Sequence, residues 1–264
     1  MSTATVSISN LGKTAIHSLS RIGDAWIFLF RILVESVKTP YEFNLFLKQM
    51  YSIGAQSILV VALVGGFTGA VLAVQGEYTL SQFGAEAFTG SAIALSLIRE
   101  LGPVLTALMV NGRAGSAMTA ELGIMKISEQ IDALRAMGVN PIHHLMVPRL
   151  LAGTLSLPLL NGIFVCIGIA GGYIVSIHTL GLSAGTFMSV MMQAVEPIDV
   201  ISGFIKATFF GFCIAWISCY RGWTCQFGAV GVNRATTSSV VTSSVTILIL
   251  DYFLTSILTK LFMN

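Results

Sequence analysis

The sequence predicts an all-α integral membrane protein: an interfacial amphipathic helix, then five transmembrane helices, with a short mixed-charge helix between the second and third. Three observations predict this class. Of 264 residues, 55% are hydrophobic and only 10% charged, where an ordinary soluble domain carries about 25% charged residues. Several uncharged stretches reach the roughly 20 residues that a helix needs to cross the hydrocarbon core. Lysine and arginine gather in alternate connections, which is the bias that orients spans. The net charge of +2, with no basic run anywhere, argues against a nucleic-acid partner.

Residues 1–48 form a region of their own. Met1 to Asn10 is polar and uncharged, and the first apolar run, Trp26 to Phe30, is cut by Arg31, so no cleaved secretory segment is expected. Over 23–37, Trp26, Phe30, Leu33 and Val37 recur at helical spacing while Asp24, Arg31, Glu35 and Lys38 take another face. That pattern, about 15 residues long, lies in the membrane interface rather than across it. Pro40, Glu42 and Lys48 then separate it from the first span.

Residues 49–264 make the transmembrane domain. The first span is placed at 49–76, which holds no Asp, Glu, Lys or Arg; its Gly65, Gly66 and Gly69 invite close approach by another helix. A polar connection, 77–86, leads to a second span at 88–120, which carries Arg99 and Glu100. The segment 125–138 is too polar to cross. Glu129, Asp132 and Arg135 recur at i, i+3 and i+6, opposite an apolar face of Ile127, Ile131, Leu134 and Met137, and Gly138 and Pro141 end it. A third span is placed at 145–176, a loop at 178–185, and a short re-entrant or surface helix at 186–195. The fourth span, 200–220, carries Lys206 near its end, where a long stem can snorkel. A glycine-rich connection, 221–234, precedes a fifth span at 235–261 with one acid, Asp251.

Orientation follows from the connections. Lys13, Arg21, Arg31, Lys38 and Lys48 precede the first span, Lys126, Arg135 and Arg149 belong to the connection between the second and third, and Arg221 and Arg234 lie between the last two spans. The other two connections hold only Glu77, Glu86, Glu196 and Asp199. The N-terminus and the mid-chain helix are therefore expected in the cytoplasm and the C-terminus outside. In that position the mid-chain helix suits docking to a cytoplasmic motor, although a solvated surface helix would carry the same pattern.

Arg99 and Glu100 carry the chemistry. Each charged residue at mid-bilayer costs about 2.5 to 3.5 kcal/mol on insertion scales, so such residues face protein or a wet cavity. Neighbours at i and i+1 do not face one another on a helix, so one or both must find a partner on another helix, on a second copy, or in water. Pro103 frees a backbone carbonyl and can kink the span, which suits a cavity wall. A purely structural interhelical salt bridge is the competing reading. Asp251 reads as a helix-packing hydrogen bond.

Other motifs carry less. Gly12, Lys13 and Thr14 look like the end of a phosphate-binding loop, but position 7, where the first glycine belongs, is Ser7 and no strand precedes it. Gly181, Ser183 and Gly185 have nucleophile-elbow spacing without a strand-to-helix turn. His143 and His144 point about 100° apart on a helix and read as rim residues. Cys166, Cys213, Cys219 and Cys225 form no C-x-x-C pair. No metal site and no catalytic residue is expected. No repeat of 20 to 50 residues supports an inverted-repeat transporter. A proton-coupled secondary transporter using Glu100, Arg99 or Asp251 as a relay stays open, as does a motor-free membrane scaffold or intramembrane enzyme.

The runs LIRELGPVLTALMVNGRAGSAMTAELG, EQIDALRAMGVNP, LMVPR and GVNRATTSSVVTSS resemble the MlaE (YrbE) family of ABC-transporter permeases, and the similarity extends over about 45–260. The resemblance implies a membrane subunit of an intermembrane phospholipid transport system in the bacterial inner membrane, one that maintains outer-membrane lipid asymmetry. It implies a homodimer working with a cytoplasmic ATPase (MlaF) that holds ATP-Mg, a STAS-domain protein (MlaB) and a periplasmic MCE-domain hexamer (MlaD). Arg99 and Glu100 would lie at the lipid cavity. By position and helix phase, Leu72, Leu80, Phe83 and Leu101 would touch acyl chains. Glu129, Asp132, Arg135 and Gly138 would belong to a coupling helix seated on the ATPase, and the chain itself would hold no cofactor.

Overall fold

The computed structural model describes residue 20 and residues 23–38 and 42–262. The Met1–Asn10 and Gly12–Thr14 segments and Pro40 lie outside them. No strand occurs among the described residues. In chain order the helices are α1 (23–36), α2 (Phe43–Ser81), α3 (Glu86–Ile127), α4 (Gln130–Ala136), α5 (Ile142–His178), α6 (Ala184–Ala194), α7 (Pro197–Trp223) and α8 (Ala229–Phe262). The five long ones are apolar enough to cross a membrane, and α6 occupies the stretch where a short apolar helix was expected.

Each long helix outruns its expected span. At 1.5 Å per residue the 42 residues of α3 reach about 63 Å, roughly twice the hydrocarbon thickness. The extra length is amphipathic or polar, which a hydropathy reading trims. Thus α2 starts at Phe43 and continues through the expected connection to Ser81. It breaks at Gly54, followed by a 3-10 turn over Ala55–Ser57. α3 is not one regular helix either: π turns at Leu97–Leu101 and Asn111–Gly115 each insert a wider turn.

Glycines set the tightest packing. A Cβ on Gly69 would lie 1.8 Å from the Gly168 carbonyl oxygen, and one on Gly65 would lie 2.8 Å from that of Phe164, so α2 and α5 touch backbone to backbone. Phe164, Val61, Leu97, Phe210, Ile214 and Ile247 fill the core between α2, α3, α5, α7 and α8. A second cluster, at the end of the bundle that carries α4, joins Phe28, Ile32, Leu122, Ile131, Met146 and Cys219.

Two sequence expectations need correction here. On α1 the buried residues are Phe28, Leu29 and Ile32, with Phe28 against Tyr220 and Trp223. Trp26, Phe30, Leu33 and Val37, the expected apolar face, point outward. The helix therefore has two apolar faces, and periodicity alone found the more exposed one, on which Trp26 packs against Trp216. The mid-chain helix is also shorter than 125–138. α3 continues to Ile127, Glu129 breaks the helix with φ of 59°, and α4 spans only Gln130–Ala136. Ile131 is buried while Met137 is 69% exposed, so the expected apolar face is split.

Candidate functional site

The first π turn brings the site together. Proline at 103 has no N–H, so the Arg99 carbonyl loses the donor it would have four residues on in an α-helix. Lys206 of α7 fills that vacancy, its Nζ donating to the Arg99 oxygen at 2.9 Å. The same ammonium reaches Glu100 Oε2 at 2.6 Å and Thr255 Oγ1 at 2.7 Å, and lies 3.2 Å from Asp251 Oδ1. Close approach of α7 depends on Gly203, where a Cβ would meet the Ile98 oxygen at 2.4 Å. Lys206 is 2% exposed. It does not snorkel, because four acceptors from two other helices hold it inside.

Arg99 has a separate partner. Its Nε donates to Asp199 Oδ1 at 2.7 Å, and Asp199 Oδ2 accepts from the Glu196 backbone N–H at 3.1 Å. Asp199 thus serves both as the capping-box acid that starts α7 and as the counter-ion to Arg99. Asp199 and Lys206 are seven residues apart, two helical turns on one face, so α7 presents an acid and a base to the adjacent pair on α3. Arg99 and Glu100 do find partners on another helix. Two cations meet three carboxylates in all.

Asp199 and Lys206 are sealed, but the Arg99 and Glu100 side chains are 35% and 43% exposed. They border a cavity of about 110 Å³, lined also by Ser202, Thr255, Leu258 and Phe262. Ligand pockets for drug-sized molecules run to about 300–1,000 Å³, so this one is well below that size. A second, apolar hollow of about 500 Å³ lies along α2, between Phe67, Val71, Val74, Tyr78 and Val175, with Gln75 as its one amide.

The expected acyl-chain contacts are not gathered at either place. Leu72 and Leu101 are partly buried against the core, Leu80 is half-buried, and Phe83, beyond the end of α2, is 79% exposed. None of the four lines the charged cavity or the α2 hollow.

At the other end of α3, α4 is tied down by several contacts. Asp132 pairs with Arg135 at 2.9 Å on the exposed side, and the Arg135 guanidinium lies 5.4 Å above the Trp223 ring. Gly138, with φ of 77°, turns the chain out of the helix. Lys126 donates to the Trp223 and Cys225 carbonyls at 2.8 and 3.0 Å. Burial pushes the Cys225 thiol above its usual range, against the pull of the Lys126 ammonium. Glu129 and Gly138 flank α4 rather than sitting within it. His144 Nδ1 lies 2.6 Å from Glu42 Oε1, which ties the start of α5 to α2.

Sequence reading missed Asp199, Thr255 and Arg113. The signal for Asp199 was its seven-residue spacing to Lys206; for Arg113, a cation in the second span with no acid near it in sequence. No group of three or more His, Cys, Asp or Glu able to hold a metal occurs among the described residues, and the four cysteines are unpaired.

Comparison with known proteins adds independent support. The family model described as Permease MlaE matches residues 46–257. The intermembrane phospholipid transport system permease protein MlaE of Haemophilus influenzae is 44% identical over 252 residues, 95% of this chain and 97% of that protein. A probable ABC transporter permease of Rickettsia bellii is 43% identical over 96% of this chain and 97% of its own length. The chloroplast protein TRIGALACTOSYLDIACYLGLYCEROL 1 of Arabidopsis thaliana is 37% identical over 86% of this chain and 65% of its own length.

Proposed function

Because this chain belongs to the MlaE permease family, we propose that it is the transmembrane subunit of an ATP-driven phospholipid transporter that moves lipid between the inner and outer membranes. The chain lies in the bacterial inner membrane with its N-terminus and α4 in the cytoplasm and its C-terminus in the periplasm. It hydrolyses nothing itself; ATP-Mg is held by a partner ATPase of the MlaF kind, with an MlaB-like STAS protein beside it. A hexamer of MlaD-like MCE domains receives or supplies lipid on the periplasmic side, and two copies of the chain face each other across the lipid path.

One observation carries this reading: three carboxylates and two cations sit at the meeting of three spanning helices and remain partly open through Arg99 and Glu100. Ions sealed between helices would serve packing alone. The opening gives a phosphodiester an arginine to bind and gives an amine headgroup a carboxylate, while the apolar hollow on α2 offers chain-length surface. The coupling role falls to Glu129, Asp132, Arg135 and Gly138, which present α4 to the ATPase. When the ATPase dimer closes, it displaces α4 and reshapes the cavity at the other end of α3.

The test is reconstitution of the whole complex in vesicles. Glu100→Ala should lower ATP-dependent lipid transfer about tenfold while the ATPase still co-purifies, since one charge-assisted contact is worth about 1.5–3 kcal/mol. Unchanged transfer would assign the cluster to packing. Transfer that follows a proton gradient and ignores ATP would favour a proton-coupled transporter, and a chain that co-purifies with no ATPase would be a scaffold.

A further inference from the structure

The second π turn of α3 has no part in the charged cluster, yet it holds an arginine in the middle of the helix. Arg113 Nη1 donates to the Ser52 carbonyl at 2.9 Å and to Ser57 Oγ at 2.8 Å, and Nη2 donates to Gln56 Oε1. All three acceptors are neutral, and among the described residues no carboxylate pairs with Arg113. A half-buried cation held only by neutral oxygens is an expensive way to pack two helices, since an alanine or leucine would need no partners. What distinguishes the site is where the acceptors lie. Ser52 precedes Gly54, the point at which α2 leaves regular helix, while Gln56 and Ser57 belong to the 3-10 turn that follows.

The break itself is built for close contact. A Cβ on Gly54 would lie 2.8 Å from the Met50 oxygen and 3.2 Å from Ser156 Oγ of α5. Ser57 N bonds to the Gly54 carbonyl, which leaves the Ile53 carbonyl to the Ser57 hydroxyl at 2.7 Å. The guanidinium therefore splints both sides of a joint whose own ladder is interrupted. From the same π turn, Asn111 Nδ2 donates to the Val240 carbonyl at 3.0 Å and Ser244 Oγ at 3.1 Å, tying α8 to the same level. Below this level α3 continues as Ser116–Ile127 and leads into α4.

We infer that Arg113 is a positioning residue that carries displacement of α4, along α3, into the joint of α2 at Gly54, so that the wall bearing the apolar hollow moves with the ATPase. The inference rests on the transporter reading above. A 3-10 stretch inside a helix often marks a hinge and a π turn a functional site, and a planar five-donor fork can keep its acceptors through a small shift in register. Without it, α4 would still be moved by the ATPase, but the wall would not follow.

The experiment uses the complete complex in vesicles of phosphatidylethanolamine and phosphatidylglycerol with a labelled phospholipid tracer, measuring ATP hydrolysed and lipid moved in parallel. Arg113→Gln is expected to lower lipid moved per ATP about tenfold with the ATPase rate within about twofold of normal, on the strength of the charge-assisted bonds removed. Gln56→Ala, on the exposed side of the joint, should give a smaller loss of the same ratio, and the double variant should be no worse than Arg113→Gln, because both act through one contact. If Arg113→Gln fails to assemble, Gln56→Ala decides alone. A normal ratio in the variants, or an ATPase rate that falls in step with transfer, overturns the inference. If the unaltered complex moves no lipid on ATP, the transporter reading itself is at fault and the inference falls with it.

Discussion

The two π turns of α3 solve the same problem with opposite chemistry. Both open the backbone ladder inside a spanning helix, and both aim charged or polar side chains at neighbouring helices. The first, Leu97–Leu101, meets its charges with charges: Arg99 takes Asp199, and Glu100 shares Lys206 with Asp251. The second, Asn111–Gly115, meets one cation with carbonyl, amide and hydroxyl oxygens. An ion-pair cluster with a surplus carboxylate and an open side is suited to exchange partners with a ligand. A cation held by neutral groups at a break in one neighbouring helix is suited to hold a joint.

The hardest way to break that contrast is to remove the shared cation. Lys206→Met should leave Glu100 and Asp251 facing each other without a counter-charge and return the Arg99 carbonyl to an unmet state. Removing one member of a buried pair costs about 3–5 kcal/mol, so thermal unfolding in nanodiscs should shift down by more than for any other single change in the cluster. Adding Glu100→Gln and Asp251→Asn should restore much of the loss. If Lys206→Met alone unfolds at the normal temperature, the cluster is not an electrostatic unit.

A milder change asks whether charge assistance matters at the first turn. Thr255 accepts from Lys206 at 2.7 Å and sits 2.8 Å from the Asp251 carbonyl, to which it donates. Thr255→Val keeps the shape and removes the hydroxyl, taking away one of the three hydrogen bonds of the ammonium and leaving that proton to the longer contact with Asp251. The expected loss is about 1.5–3 kcal/mol, the range for hydrogen bonds to charged groups, read from the same unfolding transition.

The contrast also marks what was legible in the sequence. The number of helices long and apolar enough to span, a separate amphipathic helix before the first of them, and the presence of α6 follow from hydropathy, since each depends on local composition. The adjacency of Arg99 and Glu100 was enough to require partners elsewhere, and Pro103 pointed to a freed carbonyl. Which partner went where was not readable, because it depends on the phase of α7 relative to α3, set by the Gly203 contact with Ile98. Lys206 was misread for that reason: near a predicted span end snorkelling is the default, and only tertiary packing turns the side chain inward. The ends of α4 were missed because Glu129 adopts a left-handed backbone that a helical charge pattern conceals.

The smallest expected effect belongs to the second turn. Ser244 Oγ accepts from Asn111 Nδ2 at 3.1 Å, and the same amide also reaches the Val240 carbonyl. Both groups are neutral, and one acceptor survives in Ser244→Ala, so the loss should be about 0.5–1.5 kcal/mol, below that for Thr255→Val. The comparison is between like changes, one hydroxyl removed beside each π turn, and the difference between the two unfolding shifts reports whether the bonded donor is charged. Equal shifts would mean that Lys206 is solvated well enough to ignore the loss of Thr255, and the first turn would then be wetter than its 2% exposed lysine implies.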